Sequence, residues 1–421
     1  MRSLSGARVT VLGAARSGRA AAELALRFGA IVVLSDLRED LDELPGATCV
    51  FGHHRNEDLV GADLVVVSPG VPAAAPPVRK AIEAGVEVVG ELGFAASFID
   101  PGVSLLAVTG TNGKSTVTHF TAQLLEAAGA RVFAGGNLGT PLSKAVGLDA
   151  DVLVVEVSSY QMELPGCFAP SAAVVLNLTP DHLGRHKTME GYAEAKCRVF
   201  DRIDEGGFAI LPAGDELLAS AARGRGGRRV WLGAQPGATI EGDELLIGDG
   251  CLDLTRLEVP GEHNRWNAAA ASLLAVAAGR LVEDIDLAVL SGLPHRLELV
   301  AEIDGVRWIN DSKATNIDAA AIGIKAMNGE LTVLLGGQGK EGVDWASLPV
   351  GGARVICFGA SGAQIQAAVG GERVLTLQAA VERAREVARA GTTVLLSPAC
   401  ASFDEFNDFE HRGVRFKEWV G

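Results

Sequence analysis

The chain has 421 residues and an apolar share of 48%, enough for about three folded domains and too apolar for a disordered tail. Its 52 acidic and 37 basic side chains leave a net charge of −15, which excludes an extended basic face that tracks nucleic acid. Any phosphate it binds must be held by local groups.

Six cysteines (Cys49, Cys167, Cys197, Cys251, Cys357 and Cys400) lie far apart without a C-x-x-C pair. That spacing argues against a zinc knuckle or a disulfide framework and for a reduced, cytoplasmic protein. Arg2 and Arg8 precede a short apolar stretch interrupted by Arg16 and Arg19, which is not the pattern of a signal peptide. No apolar run approaches the roughly 18 residues of a membrane span without an intervening proline, asparagine or charge.

Short β-branched runs alternate with helical patterns: RVTVL at 8–12, IVVL at 31–34, DLVVVS at 63–68 and LLAVTG at 105–110. Such alternation builds parallel sheets through βαβ crossovers. The segment from Phe98 to Gly102 reads as a joint, and a first domain boundary is expected near residue 92. A second α/β block carries strands at 152–157, 172–177 and 208–211 and a helix over 189–203. Residues 223–262 read as appended β-hairpins, and the Ala-rich run 267–279 reads as a buried helix. The chain turns near Gly292, forms a hairpin around Asp304-Gly305, and ends in a third βα block with strands at 331–335, 353–358 and 393–396. The expected fold is therefore α/β with three domains, at 1–92, 93–292 and 293–421.

The run from Gly13 to Gly18 follows a strand and opens a helix, and Asp36 ends the next strand. That is the layout of a dinucleotide fingerprint, but Ala15 stands at the second glycine, where a Cβ crowds the closest backbone approach. A nicotinamide site, a differently posed nucleotide and a ligand-free turn all remain open here. An oxidoreductase or NAD-linked regulator would use this loop, with the next glycine loop acting as a nucleotide switch.

The second loop runs Thr109-Gly110-Thr111-Asn112-Gly113-Lys114-Ser115-Thr116 between a strand and a helix reaching about residue 128. Its backbone N–H groups can cradle an anion, Lys114 can reach outer phosphates, and Ser115 or Thr116 can ligate magnesium. The common spacing requires glycine at 108, where this chain has valine, so the loop is a shortened relative. Glu156 ends the strand 152–157 and is the natural metal carboxylate; a strand-end glutamate facing solvent is the alternative. His182 and His186 are four apart, yet the glutamate of H-E-x-x-H is missing and Gly184 weakens a helix there, so a core or surface histidine competes with a zinc site. Lys196 lies on the helical pattern Tyr192–Lys196 and by composition is a solvated lysine.

The octet TGTNGKST, the strand acid followed by Ser158-Ser159-Tyr160-Gln161, and Asn177 with Asp181-His182 resemble the Mur ligase family over the whole chain. These are ATP-dependent amide-forming enzymes of peptidoglycan precursor synthesis, related to folylpolyglutamate synthase. The first domain, the segment Asn310–Asn316 and the tail 397–413 resemble the member that adds D-glutamate to UDP-N-acetylmuramoyl-L-alanine through an acyl phosphate.

The resemblance implies that Lys114, Glu156, His182 and Lys196 are catalytic. It places one magnesium between Ser115, Glu156 and the ATP phosphates, and a second near His182 and Lys196, the lysine being carbamylated. The ATP site, expected between the second and third domains, comprises Gly110, Thr111, Asn112, Gly113, Lys114, Ser115 and Thr116 with Asn264, Asn267, Arg296 and Asp311. Asn264 and Asn267 could instead cap a helix and Asp311 could hold a turn. The sugar nucleotide falls to Ala15, Arg16, Ser17, Asp36, Gly70, Asn137, Ser158 and His182, and D-glutamate to Lys313, Thr315, Lys340, Ser402 and Phe409. The run Gly336–Lys340 adds a loop of backbone donors, which surface glycines alone also explain. The partners implied are these small molecules, with no nucleic acid and no membrane span, and the chain is expected to act as a monomer.

Overall fold

The computed structural model describes residues 3–137, 139–340 and 342–421, so Arg2 lies outside the described residues. The chain divides into two compact units, 1–258 with 263–290 and 259–262 with 291–421.

The first unit holds two sheets. In one, β1 (Arg8–Leu12), β2 (Ile31–Asp36), β3 (Thr48–Phe51), β4 (Leu64–Val67) and β5 (Glu87–Gly90) pair in the order β3-β2-β1-β4-β5, all parallel. The other holds β6 (Ser104–Thr109), β7 (Val132–Gly136), β8 (Val152–Glu156), β9 (Ala172–Val175), β10 (Phe208–Pro212), β11 (Arg228–Leu232), β12 (Gly237–Glu241), β13 (Glu244–Ile247) and β14 (Gly250–Asp253). Its order is β14-β13-β12-β11-β10-β9-β6-β8-β7, parallel except for the antiparallel edge β12-β13-β14. That edge falls in the expected hairpin region 223–262, although the first strand of that region, β11, pairs parallel with β10 and β12. The strands at 48–51, 87–90 and 132–136 are too short and too broken by Cys49, Gly90 and Gly135 to stand out as apolar runs.

One continuous apolar cluster serves both sheets, running from Val9, Val11 and Leu34 through Phe94 and Phe98 to Leu105, Val155 and Phe200. The short helix Glu91–Ala96 lies across the expected boundary at 92, and its Phe94 meets Phe98 edge-on at 5.2 Å. The helix after 188 ends at Cys197, with a single tighter turn over Arg198–Phe200.

The second unit carries β15 (Glu298–Ile303), β16 (Val306–Asn310), β17 (Leu331–Gly336), β18 (Arg354–Phe358), β19 (Glu372–Arg373) and β20 (Thr393–Leu396), in the order β15-β16-β20-β17-β18-β19. Only β15 and β16 are antiparallel, and they form the hairpin at Asp304-Gly305. Apolar layers cover both faces, one around Ile309, Val333 and Leu395 and the other around Trp308, Leu334 and Phe416, as a parallel sheet with two buried faces requires. Among the described residues no helix is long and apolar enough to cross a membrane.

Helix Arg16–Arg27 lays an alanine-rich face, with Ala20, Ala21, Leu24 and Ala25 buried, on the first sheet. Small side chains let its first turn approach closely: a Cβ at Gly18 would stand 1.7 Å from the Gly13 carbonyl oxygen and 2.5 Å from Ser68 Oγ. Gly18→Ala should therefore destabilise the protein by about 3 kcal/mol, whereas Gly206→Ala, which meets nothing within 4 Å, should stay within about 0.5 kcal/mol of wild type. Urea denaturation of the two variants checks this; equal midpoints would refute the close approach.

Candidate active site

Most candidate residues follow the carboxyl ends of parallel strands, the edge where an open parallel α/β sheet presents its loops; Arg296 instead precedes β15, and Asn264 and Asn267 lie within the helix Glu262–Ala277. In the first sheet Ala15 is the N-cap of helix Arg16–Arg27; Ala15 and Arg16 are exposed and Ser17 is half-buried. Asp36 accepts from the Ala14 N–H at 2.7 Å and pairs with Arg38 at 3.0 Å. Burial works against its charge, but Arg38 and the backbone donors prevail and hold the carboxyl at about 2. Gly70 is exposed in the loop after β4, with open space around it.

The second glycine loop leaves β6 and enters the helix Lys114–Ala127 through Gly113, whose φ of 86 is the left-handed region that suits glycine. A Cβ at Gly113 would also stand 2.8 Å from Asn267 Oδ1. Asn267 and Asn264 are bonded to each other at 3.0 Å and lie within the helix Glu262–Ala277, both buried. They are therefore not helix caps, and the helix begins five residues before the apolar run at 267. Asn177 braces the loop: its Oδ1 accepts from the Asn112 N–H at 2.9 Å, its Nδ2 donates to the Asn112 carbonyl at 3.0 Å, and its own carbonyl accepts from the Thr111 N–H. Thr116 is buried in the first helical turn.

Lys114 Nζ donates to the Gly110 and Thr111 carbonyls at 3.1 and 2.8 Å. Lys196 Nζ donates to the same Gly110 carbonyl at 2.7 Å and lies over the Tyr192 ring at 4.4 Å. At 1% exposure Lys196 is not the solvated lysine its composition suggests. The helix Met189–Cys197 turns it inward beside Tyr192 and Ala193. Burial, and then the charge of Lys114, pull its pKa well below the ordinary lysine value, against smaller pulls from Asp181, Cys197 and Glu156.

Glu156 is likewise buried, at 3% exposure, not turned to solvent. Its Oε2 accepts from Ser115 Oγ at 2.5 Å and its Oε1 from Asn137 Nδ2 at 2.9 Å. A hydroxyl and a carboxylate, both oxygen donors, beside a phosphate-type loop suit magnesium, which takes one or two protein ligands and completes its shell with phosphate and water. Ser158 closes a tight turn on Gln161, with N–H and Oγ both donating to Gln161 Oε1.

His182 adopts a left-handed φ of 57 at the head of the four-residue helix Leu183–His186. Its Nδ1 bonds Tyr160 Oη at 2.9 Å, and its Nε2 stands 3.5 Å from Asp181 Oδ2. His186 instead bonds Ser159 Oγ through Nε2 at 2.9 Å and stacks on Tyr192. The two imidazoles thus make different hydrogen bonds, although both rings pack against Tyr160 and Tyr192.

In the second unit Asp311 is buried and accepts from Ser397 Oγ at 2.7 Å and from the Leu297 N–H at 3.3 Å. Burial lifts its pKa to about 7, against the opposing pull of Arg296. Arg412, which sequence reasoning missed, is fully buried; its guanidinium donates to Ser312 Oγ and to the carbonyls of Ser312, Cys400 and Ala401. Those bonds hold together the segments that carry Lys313 and Ser402. Lys313 Nζ lies over the Phe409 ring at 5.5 Å, and Ser312 Oγ donates to the Phe409 carbonyl. Thr315 donates its N–H to the Lys313 carbonyl, Ser402 is buried next to Ala401, and Ala401 bridges Gln338 two residues before the exposed Lys340. The segment Gly336–Lys340 is thereby a braced loop: Gly337 lies against Ala401 and Gly339 donates to Ser361 Oγ.

A glycine loop ending in Gly-Lys-Ser at a strand–helix junction, with a buried acid from the neighbouring strand on its serine, defines an ATP- or GTP-type phosphate-binding protein. Residues 7–90 match the profile "Mur ligase MurD-like, N-terminal domain", residues 108–275 "Mur ligase middle domain" and residues 295–400 "Mur ligase, glutamate ligase domain". The chain is similar to the UDP-N-acetylmuramoylalanine--D-glutamate ligases of Desulfosudis oleivorans (39% identity, covering 97% of this chain and 95% of that one) and Anaeromyxobacter dehalogenans (41%, 98% and 97%). Among solved structures it resembles UDP-N-acetylmuramate-alanine ligase from Thermotoga maritima, with TM-score 0.62 at 20% identity over 98% of this chain and 99% of that one. A bifunctional folylpolyglutamate synthase/dihydrofolate synthase gives TM-score 0.61 at 18% identity, over 83% and 100%. The chain belongs to the Mur ligase family, whose members are ATP-dependent amide-forming ligases.

Asp311 supplies a pH test. Folded, its carboxyl keeps a proton up to about pH 7; unfolded, it releases it near 3.8. The folded state therefore loses stability as pH rises between those values, by about 4 kcal/mol in full. Asp311→Asn should gain on wild type by about that amount between pH 4 and pH 8. Urea denaturation at stepped pH reads the difference, and a gap that does not widen with pH would refute a buried, protonated Asp311.

Proposed function

We propose that this chain joins D-glutamate to UDP-N-acetylmuramoyl-L-alanine in the cytoplasm, using ATP, with the sugar nucleotide on a domain at 1–92, ATP on 93–292 and the amino acid on 293–421. The observation that carries the reading is the meeting of Lys114 and Lys196 on the Gly110 carbonyl, beside the Ser115–Glu156 pair. Identity near 40% over almost the whole length to ligases of that name, and a C-terminal match to a glutamate ligase domain, support the choice of substrates. Six free thiols agree with a reducing compartment.

In this reading an oxygen of the L-alanyl carboxylate attacks the γ-phosphorus of ATP and ADP leaves. The D-glutamate amine then attacks the acyl carbon, and phosphate departs from the tetrahedral intermediate as the amide forms. Bound magnesium would neutralise the meeting of a carboxylate with a polyanion. Ser115 and Glu156 are the side chains to hold one ion, Asn137 keeping Glu156 in place, and His182 with Lys196 the second.

Lys114 follows the transferring phosphoryl group as a cation. Lys196, whose burial disfavours its charged form, adds through its nitrogen to carbon dioxide and releases a proton, giving a carbamate whose oxygens replace an ammonium that a metal would repel. Asn267, against Gly113, and Asn264 take part in seating the nucleotide, with Arg296 and Asp311. Ala15, Arg16, Ser17, Asp36, Gly70, Asn137 and Ser158 seat the sugar nucleotide; Lys313, Thr315, Lys340, Ser402 and Phe409 seat D-glutamate. Arg16 supplies locally a positive charge that the chain as a whole lacks.

Two variants test this. Lys114→Ala should lower phosphate release in the presence of all three substrates and magnesium by at least about 100-fold; a surviving rate would move the ATP site elsewhere. Lys196→Ala should fall by a similar factor and recover in part with added short carboxylates, which occupy the place of the carbamate. Unchanged activity, or a loss that carboxylates never relieve, would refute the carbamate. A wild-type protein that makes neither ADP nor a new amide from these reactants would overturn the function itself.

A further inference from the structure

One ion pair in the first unit lies outside the roles given above. Glu163 Oε1 accepts from Arg185 Nε at 2.7 Å and its Oε2 from Arg185 Nη2 at 2.7 Å, a two-pronged pair. The same Oε2 accepts from the Ala73 N–H at 3.1 Å, and Arg185 Nη2 also reaches the Val71 carbonyl at 3.4 Å. Val71 and Ala73 belong to the loop after β4 that carries Gly70. Arg185 belongs to the short helix that His182 heads, its guanidinium lies over the Tyr160 ring at 4.5 Å, and the Tyr160 hydroxyl holds His182 Nδ1 at 2.9 Å.

The side chains of Arg185 and Glu163 are 16% and 20% exposed, so solvent screens the pair weakly. Burial disfavours a charged Glu163, yet Arg185 and the Ala73 N–H outweigh it and hold the carboxyl below its ordinary range. The chain of contacts starts on a loop of the first sheet and ends on an imidazole kept in a left-handed backbone. A pair that merely glued the fold would not need to end there.

We propose that Arg185 and Glu163 are positioning residues that couple the seating of the sugar nucleotide on the loop 68–73 to the orientation of His182. This rests on the reading of that loop as sugar-nucleotide site and of His182 as a group at the reacting end. Neither Arg185 nor Glu163 needs to touch reacting atoms. Sugar nucleotide that presses on the loop moves Ala73 and Val71, and through the guanidinium and the Tyr160 ring it sets the imidazole.

The test is steady-state kinetics of the full-length protein with each substrate varied in turn. Arg185→Ala and the near-isosteric Glu163→Gln should each raise KM for the UDP-sugar at least tenfold and lower kcat, while KM for ATP and for D-glutamate stays within twofold. Combining the two substitutions should cost little more than either alone, because they break one device. Tyr160→Phe, which removes only the hydroxyl on His182, should lower kcat and leave KM for the UDP-sugar within twofold. Glu163→Gln decides the matter if Arg185→Ala does not fold. A KM for the UDP-sugar within twofold of wild type in Glu163→Gln, or equal rises in all three KM values, would overturn the coupling in an active protein. Wild-type protein that forms no product overturns the proposed function, and this inference with it.

Discussion

Two lysine amines share one carbonyl oxygen, that of Gly110, and much of the site's chemistry follows from that crowding. Two positive charges on one acceptor repel each other, and Lys196 is in addition buried away from solvent. Burial and the neighbouring Lys114 thus both disfavour the charged form of Lys196. The proposed carbamate rests on this crowding of Lys196 against Lys114 at one carbonyl. The loop that holds both is rigid because Asn177 ties down Thr111 and Asn112, and because Gly113 leaves no room for a Cβ against Asn267.

The second unit meets the same problem of buried charge with a different residue. Arg412 is as buried as Lys196 and among the described residues has no carboxylate hydrogen-bonded to it, yet burial brings it down only to about 10. The difference is chemical. A guanidinium is more weakly hydrated than an ammonium and spreads five donors in a fixed fork, so carbonyl oxygens can replace water around it. Arg412 uses that fork on Ser312, Cys400 and Ala401, fixing the segments that carry Lys313, Ser402 and Phe409. An ammonium with three donors could not brace those strand-end loops at once.

Much of the fold was legible because parallel strands buried on both faces read as short unbroken apolar runs, and turn residues separate them. The glycine loop and Glu156 were legible for a related reason: phosphate binding requires a fixed local order of residue types at one strand–helix junction. What escaped the sequence depends on partners distant along the chain. Lys196 stands among alanines on a nine-residue helix, and nothing local says that its end meets Gly110. Asn264 and Asn267 precede an apolar run and so resemble caps, but the helix extends through them to Glu262. Arg412 and Ser312 are one hundred residues apart, and no spacing rule connects them.

The same reasoning explains how so acidic a chain serves anionic substrates. A net charge of −15 repels polyanions at a distance, but at physiological salt that field fades within about 8 Å. Inside such a range only the nearest charges count, and there the arrangement is opposite in sign. Lys114 lies on the phosphate loop and Lys313 over Phe409, while Asp36 is neutralised by Arg38 and Glu163 by Arg185. Acidic groups near the candidate sites are thus either paired with a guanidinium, hydrogen-bonded like Glu156, or, like Asp311, buried until they hold a proton at neutral pH. Residue placement at strand ends, and not overall composition, sets what these loops can bind.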